Sequence, residues 1–199
     1  MSDMKKKIFF CLLIPLFCIG VSPQLWSSEN AVAVQEVIPV RKPKNFHQVN
    51  ELIYRSGQPE TDEFVSVSKE YGIRSVLNLR QWHSDSWKIA AANRQLSAGL
   101  RLYEMPLNTS RITERDLYKI LTVIRDAPKP VLIHCWHGSD RTGCAVAASR
   151  IVFENWSVED AVNELMKEEY GHHKTIYTNI PELLRKADWQ KIKAVIVKK

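Results

Sequence analysis

Cys135 and Arg141 stand six residues apart in "HCWHGSDRTG" (His134–Gly143), a stretch that also holds Gly138, Asp140 and Thr142. A thiolate and a guanidinium at that spacing suit displacement at phosphorus. The sulfur attacks, a cysteinyl-phosphate forms, and water releases phosphate. The planar fork of Arg141 is shaped to hold two phosphoryl oxygens at once. Gly138 lets the chain turn tightly, and Gly143 lets the loop pack against the helix that follows. The Thr142 hydroxyl is placed to donate to the sulfur and to stabilise it again as a leaving group.

Such chemistry needs a particular bend. "PVLIHC" (Pro130–Cys135) reads as a short apolar strand, and "TGCAVAASRIVFENW" (Thr142–Trp156) reads as a helix. A loop that leaves a strand and enters a helix aims successive backbone N–H groups at its centre. The positive end of the helix dipole lies at the same place. Such a cradle binds a phosphate dianion and favours the charged form of a thiol at its base.

The rest of the chain supplies the scaffold for that bend. "LIYRSGQP" (Leu52–Pro59) is a short strand broken by Gly57 and Pro59. "ETDEFVSVSKEYG" (Glu60–Gly72) is a helix with Thr61 or Asp62 as cap and Gly72 as stop. "IRSVLNLR" (Ile73–Arg80) is an apolar strand suited to cover on both faces. A helix from Trp87 to Ala98 and the strand "LRLYEMPL" (Leu100–Leu107) follow. In "TERDLYKILTVIRDA" (Thr113–Ala127), Leu117, Ile120, Leu121 and Ile124 share one helical face. Past the cysteine loop, Ser157–Gly171 and Asn179–Val197 each read as helical. Strands alternating with helices, then a run of helices, predict an α/β fold whose central, mostly parallel sheet is flanked by helices.

The 199 residues carry a formal net charge of +6, and no Lys/Arg block with interleaved aromatics occurs in the part expected to fold, so nucleic acid is not an expected partner. "MKKK" (Met4–Lys7) precedes a 14-residue apolar stretch, Ile8–Val21. That is the length of a signal-peptide core and short for a membrane span. Cleavage is expected after Ala33, with residues 1–33 as signal peptide, 34–50 as linker or N-terminal arm and 51–199 as the catalytic domain. The expected location is therefore the bacterial periplasm or the exterior. An uncleaved leader would be the one membrane contact. Removal of the leader leaves two cysteines, Cys135 and Cys144. In an oxidising compartment they could form a structural disulfide. Cys144 could instead act as a resolving thiol or simply pack within its helix.

These motifs carry a resemblance. "HCWHGSDRTG" is similar to the active-site loop of the cysteine-dependent protein tyrosine phosphatases, in their compact dual-specificity group. "LIYRSGQP", "VLNLR" and "RIVFENWSVEDAVNEL" resemble the small bacterial and Siw14-like branch of that group. The resemblance runs from about Leu52 to Tyr170. It implies a dual-specificity-phosphatase-like fold, with Cys135 as nucleophile and Arg141 as phosphate clamp. The phosphate cradle would comprise Trp136, His137, Gly138, Ser139, Asp140 and Arg141, with His134 orienting backbone. No cofactor or metal is implied. The expected partner is a phosphorylated protein or a small phosphomonoester, with the chain acting as a monomer. An inositol-phosphate or phosphoinositide phosphatase on the same scaffold, or a phosphate-binding module without turnover, are the alternatives.

The proton donor for the leaving group is less legible. In most of the superfamily an Asp supplies it from a loop that follows a Pro–apolar pair, and here that place reads Pro106, Leu107, Asn108. Asparagine cannot transfer the proton. Three carboxylates compete: Asp140 inside the cradle, Asp85 in "QWHSDS", and Asp116 within a helix. Each has a plainer role available, as a loop brace, a helix cap or a solvated side chain. Trp136 and His137 are expected at the pocket rim. "YGHHKT" (Tyr170–Thr175) reads as a loop.

Overall fold

The computed structural model describes residues 39–198. The leader and its cleavage site, read from residues 1–33, lie outside the described residues. Strands β1 (His47–Asn50), β2 (Ile53–Ser56), β3 (Ser75–Asn78), β4 (Arg101–Glu104) and β5 (Val131–His134) form one sheet in the order β1-β2-β5-β3-β4. The pairs β2–β5, β5–β3 and β3–β4 are parallel, and only β1 runs antiparallel, against β2. His47–Asn50, expected in the arm, thus form an edge strand. Their burial is partial, which is why no apolar pattern announced them.

Alternation along the strands divides the core in two. Ile53, Leu77, Val131 and Ile133 face one side, and Tyr54, Val76 and Leu132 face the other. Helices α1 (Thr61–Tyr71) and α2 (Ser86–Asn93) cover the second side with Phe64, Val67, Ile89 and Ala92. The first side is covered by α3 (Glu114–Asp126), α4 (Asp140–Phe153), α5 (Val158–Leu165), α6 (Asn179–Lys186) and α7 (Trp189–Ile196). Among these, α4 is buried along almost its whole length, from Thr142 to Val152. A helix enclosed on all sides needs small apolar residues all round, and "GCAVAAS" provides them.

Several helix ends differ from the sequence-based expectation. The α1 cap is Glu60, in a capping box with Glu63, rather than Thr61 or Asp62. The C-terminal helix is two helices, because Asp188 accepts a hydrogen bond from the Lys191 N–H and starts a new one. Helix α4 starts at Asp140, which places Asp140 and Arg141 in its first turn.

The registers decide where the site forms. His134 pairs with both Ser56 and Asn78, so the three central strands end level, and β5 releases Cys135 in the middle of that edge. Ligands of open α/β sheets gather outside this edge. Nine residues on, Cys144 is fully buried in α4, and burial, with a smaller contribution from Asp116, pushes its thiol up to about 12. Both cysteines are free thiols, and the disulfide alternative is not realised. Iodoacetamide at neutral pH is therefore expected to leave Cys144 unmodified in the folded protein and to label it only after denaturation. Mass spectrometry of peptides from native and unfolded samples would check this, and prompt native labelling of Cys144 would contradict it.

Candidate active site

Between β5 and α4 the chain turns through Cys135–Ser139, and three successive carbonyls of this turn are held from outside. The Trp136 carbonyl accepts from the Gln58 N–H at 3.0 Å. That of His137 accepts from Asn45 Nδ2 at 3.0 Å, and that of Gly138 from Arg55 Nη2 at 2.8 Å. A trans peptide unit points its N–H opposite to its C=O, so this tethering turns the N–H groups of His137, Gly138 and Ser139 inward. The Gly138 N–H reaches Cys135 Sγ at 3.3 Å. Cys135 lies at the floor, 2% exposed.

One glycine in this turn and one in the first turns of α4 sit in close quarters. Gly138 has φ +78°, and a Cβ there would sit 2.5 Å from the Ser56 carbonyl carbon. A Cβ on Gly143 would come within 2.4 Å of Leu165 Cδ1, so this glycine sits inside α4 and serves the packing of α4 on α5, not of the loop on α4.

Arg55 was not singled out from the sequence as a site residue. Its guanidinium is fully buried beneath the loop and stacks over the Tyr170 ring at 4.0 Å. Burial lowers its pKa, opposed by Tyr170, Glu164 and Cys135. The available signal was a charged residue in the middle of a strand whose neighbours are all buried. Arg141 projects from the first turn of α4 with Nη1 3.4 Å from the Leu79 carbonyl oxygen, and its buried Nε has no hydrogen-bond partner among the described residues. The Thr142 hydroxyl is also buried without a partner, so the expected donation to the sulfur is not formed, and the Gly138 N–H makes that contact instead.

His134 is wholly buried behind the nucleophile. Its Nε2 lies 2.9 Å from Asp85 Oδ2, within ion-pair range though without hydrogen-bond alignment. Asp85 Oδ1 accepts from Gln58 Nε2 at 2.8 Å, and Gln58 Oε1 accepts from Arg80 Nη1 at 2.6 Å. Burial raises the pKa of Asp85, but His134, Gln58 and Lys88 outweigh it and hold the carboxyl below its usual range. Asp85 is 2% exposed. It anchors the histidine beside Cys135.

The other acid candidates are engaged as well. Asp140 Oδ1 meets His172 Nδ1 at 2.7 Å and the His173 N–H at 3.0 Å, while Oδ2 meets His173 Nδ1 at 2.8 Å. Burial raises its pKa, and these histidine contacts more than offset that, so the carboxyl is held below the usual range. Asp140 is thus braced by three nitrogen contacts from the loop after α5. Asp116 Oδ2 accepts from Thr113, closing a capping box on α3. Asn108 Oδ1 accepts from the Ser110 N–H, capping the short 3-10 turn Thr109–Arg111.

Above the loop opens a cleft of about 410 Å³, whose lining includes Arg80, His83, Trp136, His137, Asp140, Arg141 and His173. Trp136 is 53% exposed and packs under the Arg80 guanidinium, 4.3 Å from its ring centre, so it forms a wall together with the exposed His137. "YGHHKT" is a loop, as expected, yet its two histidines converge on Asp140. A sequence cannot show that convergence, because 32 residues separate Asp140 from His172. No group of three or more His, Cys, Asp or Glu side chains among the described residues is arranged to hold a metal.

Residues 40–179 match the tyrosine phosphatase family. The chain is 32% identical over 135 residues to inositol diphosphatase DSP3 of Arabidopsis thaliana, across 63% of this chain and 62% of that protein. It is 26% identical over 129 residues to the dual specificity protein phosphatase TpbA of Pseudomonas aeruginosa, across 64% and 56%. The match thus spans about three-fifths of the length of these relatives. The catalytic core of the Saccharomyces cerevisiae PP-IP phosphatase SIW14, solved in complex with citrate, superposes with a TM-score of 0.68 at 25% identity, covering 80% of this chain and 95% of that one. With the matched segment taking in the sheet, the cysteine loop and the Asp140-facing histidines, the chain belongs to the tyrosine phosphatase family.

Proposed function

We propose that this chain hydrolyses phosphate monoesters of the phosphotyrosine and phosphoserine/threonine type through a cysteinyl-phosphate on Cys135. The observation that carries this reading is the inward-facing cradle, with Gly138 N–H on Cys135 Sγ and Arg141 at its mouth. The cradle N–H groups and the α4 N-terminus stabilise phosphoryl charge that grows in the transition state. Arg141, whose buried Nε has no partner among the described residues, has donor capacity left for two phosphoryl oxygens. In the second half of the reaction, water displaces the sulfur and phosphate leaves.

A second reading has its own support. Arg80, His83, His137, Arg141 and His173 line the cleft, whereas its one carboxylate, Asp140, is already paired with histidines. That surplus of basic side chains suits a substrate with several phosphates, such as an inositol polyphosphate or diphosphate. The names of the DSP3 and SIW14 relatives point the same way. We also propose that residues 1–33 direct export and that the domain acts as a monomer. The basic start and apolar stretch of the leader support export.

Cys135→Ser is expected to abolish turnover of an aryl phosphate with the melting temperature unchanged, and Arg141→Lys to lower kcat/KM by about 100-fold or more. Retained turnover in Cys135→Ser would end the covalent mechanism. Arg80→Ala is expected to raise KM by roughly 10-fold for an inositol polyphosphate and by much less for an aryl phosphate, because only the former reaches the basic rim. Equal effects on both substrates, measured by phosphate release, would remove the polyphosphate reading.

A further inference from the structure

Cleavage of a phosphoester with a basic leaving group profits from an acid that protonates the departing oxygen. The three carboxylates that the sequence offers as acids are already committed. Asp140 is held by His172 and His173, Asp85 by His134 and Gln58, and Asp116 closes its own capping box. Asn108, at the place where related enzymes carry the acid, is an amide that caps a turn.

His173 is placed differently. Its side chain is 38% exposed and lines the cleft beside Arg141, Trp136 and His137. The ring is pinned on one side: Nδ1 lies 2.8 Å from Asp140 Oδ2, and the backbone N–H of the same residue donates to Oδ1 at 3.0 Å. An ionised carboxylate only accepts hydrogen bonds, so Nδ1 must carry the hydrogen. Nε2 is then the ring nitrogen left free, with no hydrogen-bond partner among the described residues. His137 and Tyr177 flank the ring at centroid distances of 5.5 and 6.1 Å and limit its rotation. An imidazole fixed by a carboxylate on one nitrogen and open on the other is the arrangement that moves protons in nucleophilic catalysis.

We propose that His173 is the proton donor to the leaving group and that Asp140 is its positioning residue. This inference rests on the phosphatase reading above. As the Cys135 Sγ–P bond forms and the ester P–O bond breaks, the proton on His173 Nε2 passes to the departing oxygen, leaving a neutral imidazole. That imidazole next takes a proton from the water attacking phosphorus. The S–P bond breaks, inorganic phosphate leaves, and both the thiolate and the protonated His173 are restored. The role of Asp140 is sharpened by the buried state of His172, whose ring is fully enclosed and braces the other carboxylate oxygen.

The test uses the full chain and two aryl phosphates, phenyl phosphate with a poor leaving group and 6,8-difluoro-4-methylumbelliferyl phosphate with a good one. His173→Gln is expected to lose about 100-fold or more in kcat/KM on the first and at most about 5-fold on the second, since a good leaving group needs no acid. His173→Ala is expected to regain phenyl phosphate turnover when imidazole is added. Vanadate affinity and melting temperature, measured on each variant, report whether the cradle is intact. Parallel losses on both substrates, or no loss on phenyl phosphate, would overturn the inference while leaving the phosphatase reading in place. Failure of the wild type to turn over either substrate would remove the phosphatase reading and the inference together.

Discussion

The outward tethering of three loop carbonyls governs what this site can do, and the buried Arg55 guanidinium is its strongest tie. Its 2.8 Å donation to the Gly138 carbonyl is a charge-assisted hydrogen bond, of a kind that contributes about 1.5–3 kcal/mol. The larger consequence is directional. Once a carbonyl is fixed outward, the following N–H has nowhere to point but inward. Without that constraint, the turn could satisfy its N–H groups locally, and the pocket over Cys135 would lose its donors. A buried guanidinium is costly unless compensated. Here the compensation comes from the Gly138 carbonyl, the Tyr170 ring and the nearby charge of Glu164.

The sheet provides the floor beneath that loop. Level strand ends place His134 between Ser56 and Asn78 and release Cys135 just beyond them, and the enclosed α4 continues directly from the loop. Gly143 brings α4 against Leu165 of α5, so the helix whose dipole faces the phosphate site cannot drift away from it. Packing at this density resists displacement of even a methyl group. Core packing and site geometry are therefore one property seen from two sides of the same turn.

Two carboxylate–histidine contacts frame the loop. Asp85 holds His134 behind the nucleophile, and Gln58 links it to Arg80 at the rim. Asp140 gathers the loop after α5 by binding His172 and His173 together. In each case the partners outweigh the effect of burial and hold the carboxyl below its usual range. Basic side chains then dominate the cleft, which favours anionic ligands by charge as well as by geometry.

Much of this was legible in the residues themselves. Cys135, Arg141, Gly138 and Gly143 announce a strand–turn–helix cradle because few other chemistries need those types at that spacing, and short apolar runs and helical apolar patterns announce the α/β layers. Strand β1 was not legible, since a half-buried edge leaves no apolar pattern. Nor was the break at Asp188, where one cap residue competes with a continuing apolar face. The partners of Asp140, Asp85, Arg55, His172 and His173 were decided by tertiary structure alone. A carboxylate acts as acid or as anchor according to which donors surround it, and those donors come from segments distant in the chain. The sequence by itself determined which groups could react, through their types and local spacing. Only the fold decided which of them stay free to do so, because hydrogen-bond partnership is a property of neighbours in space.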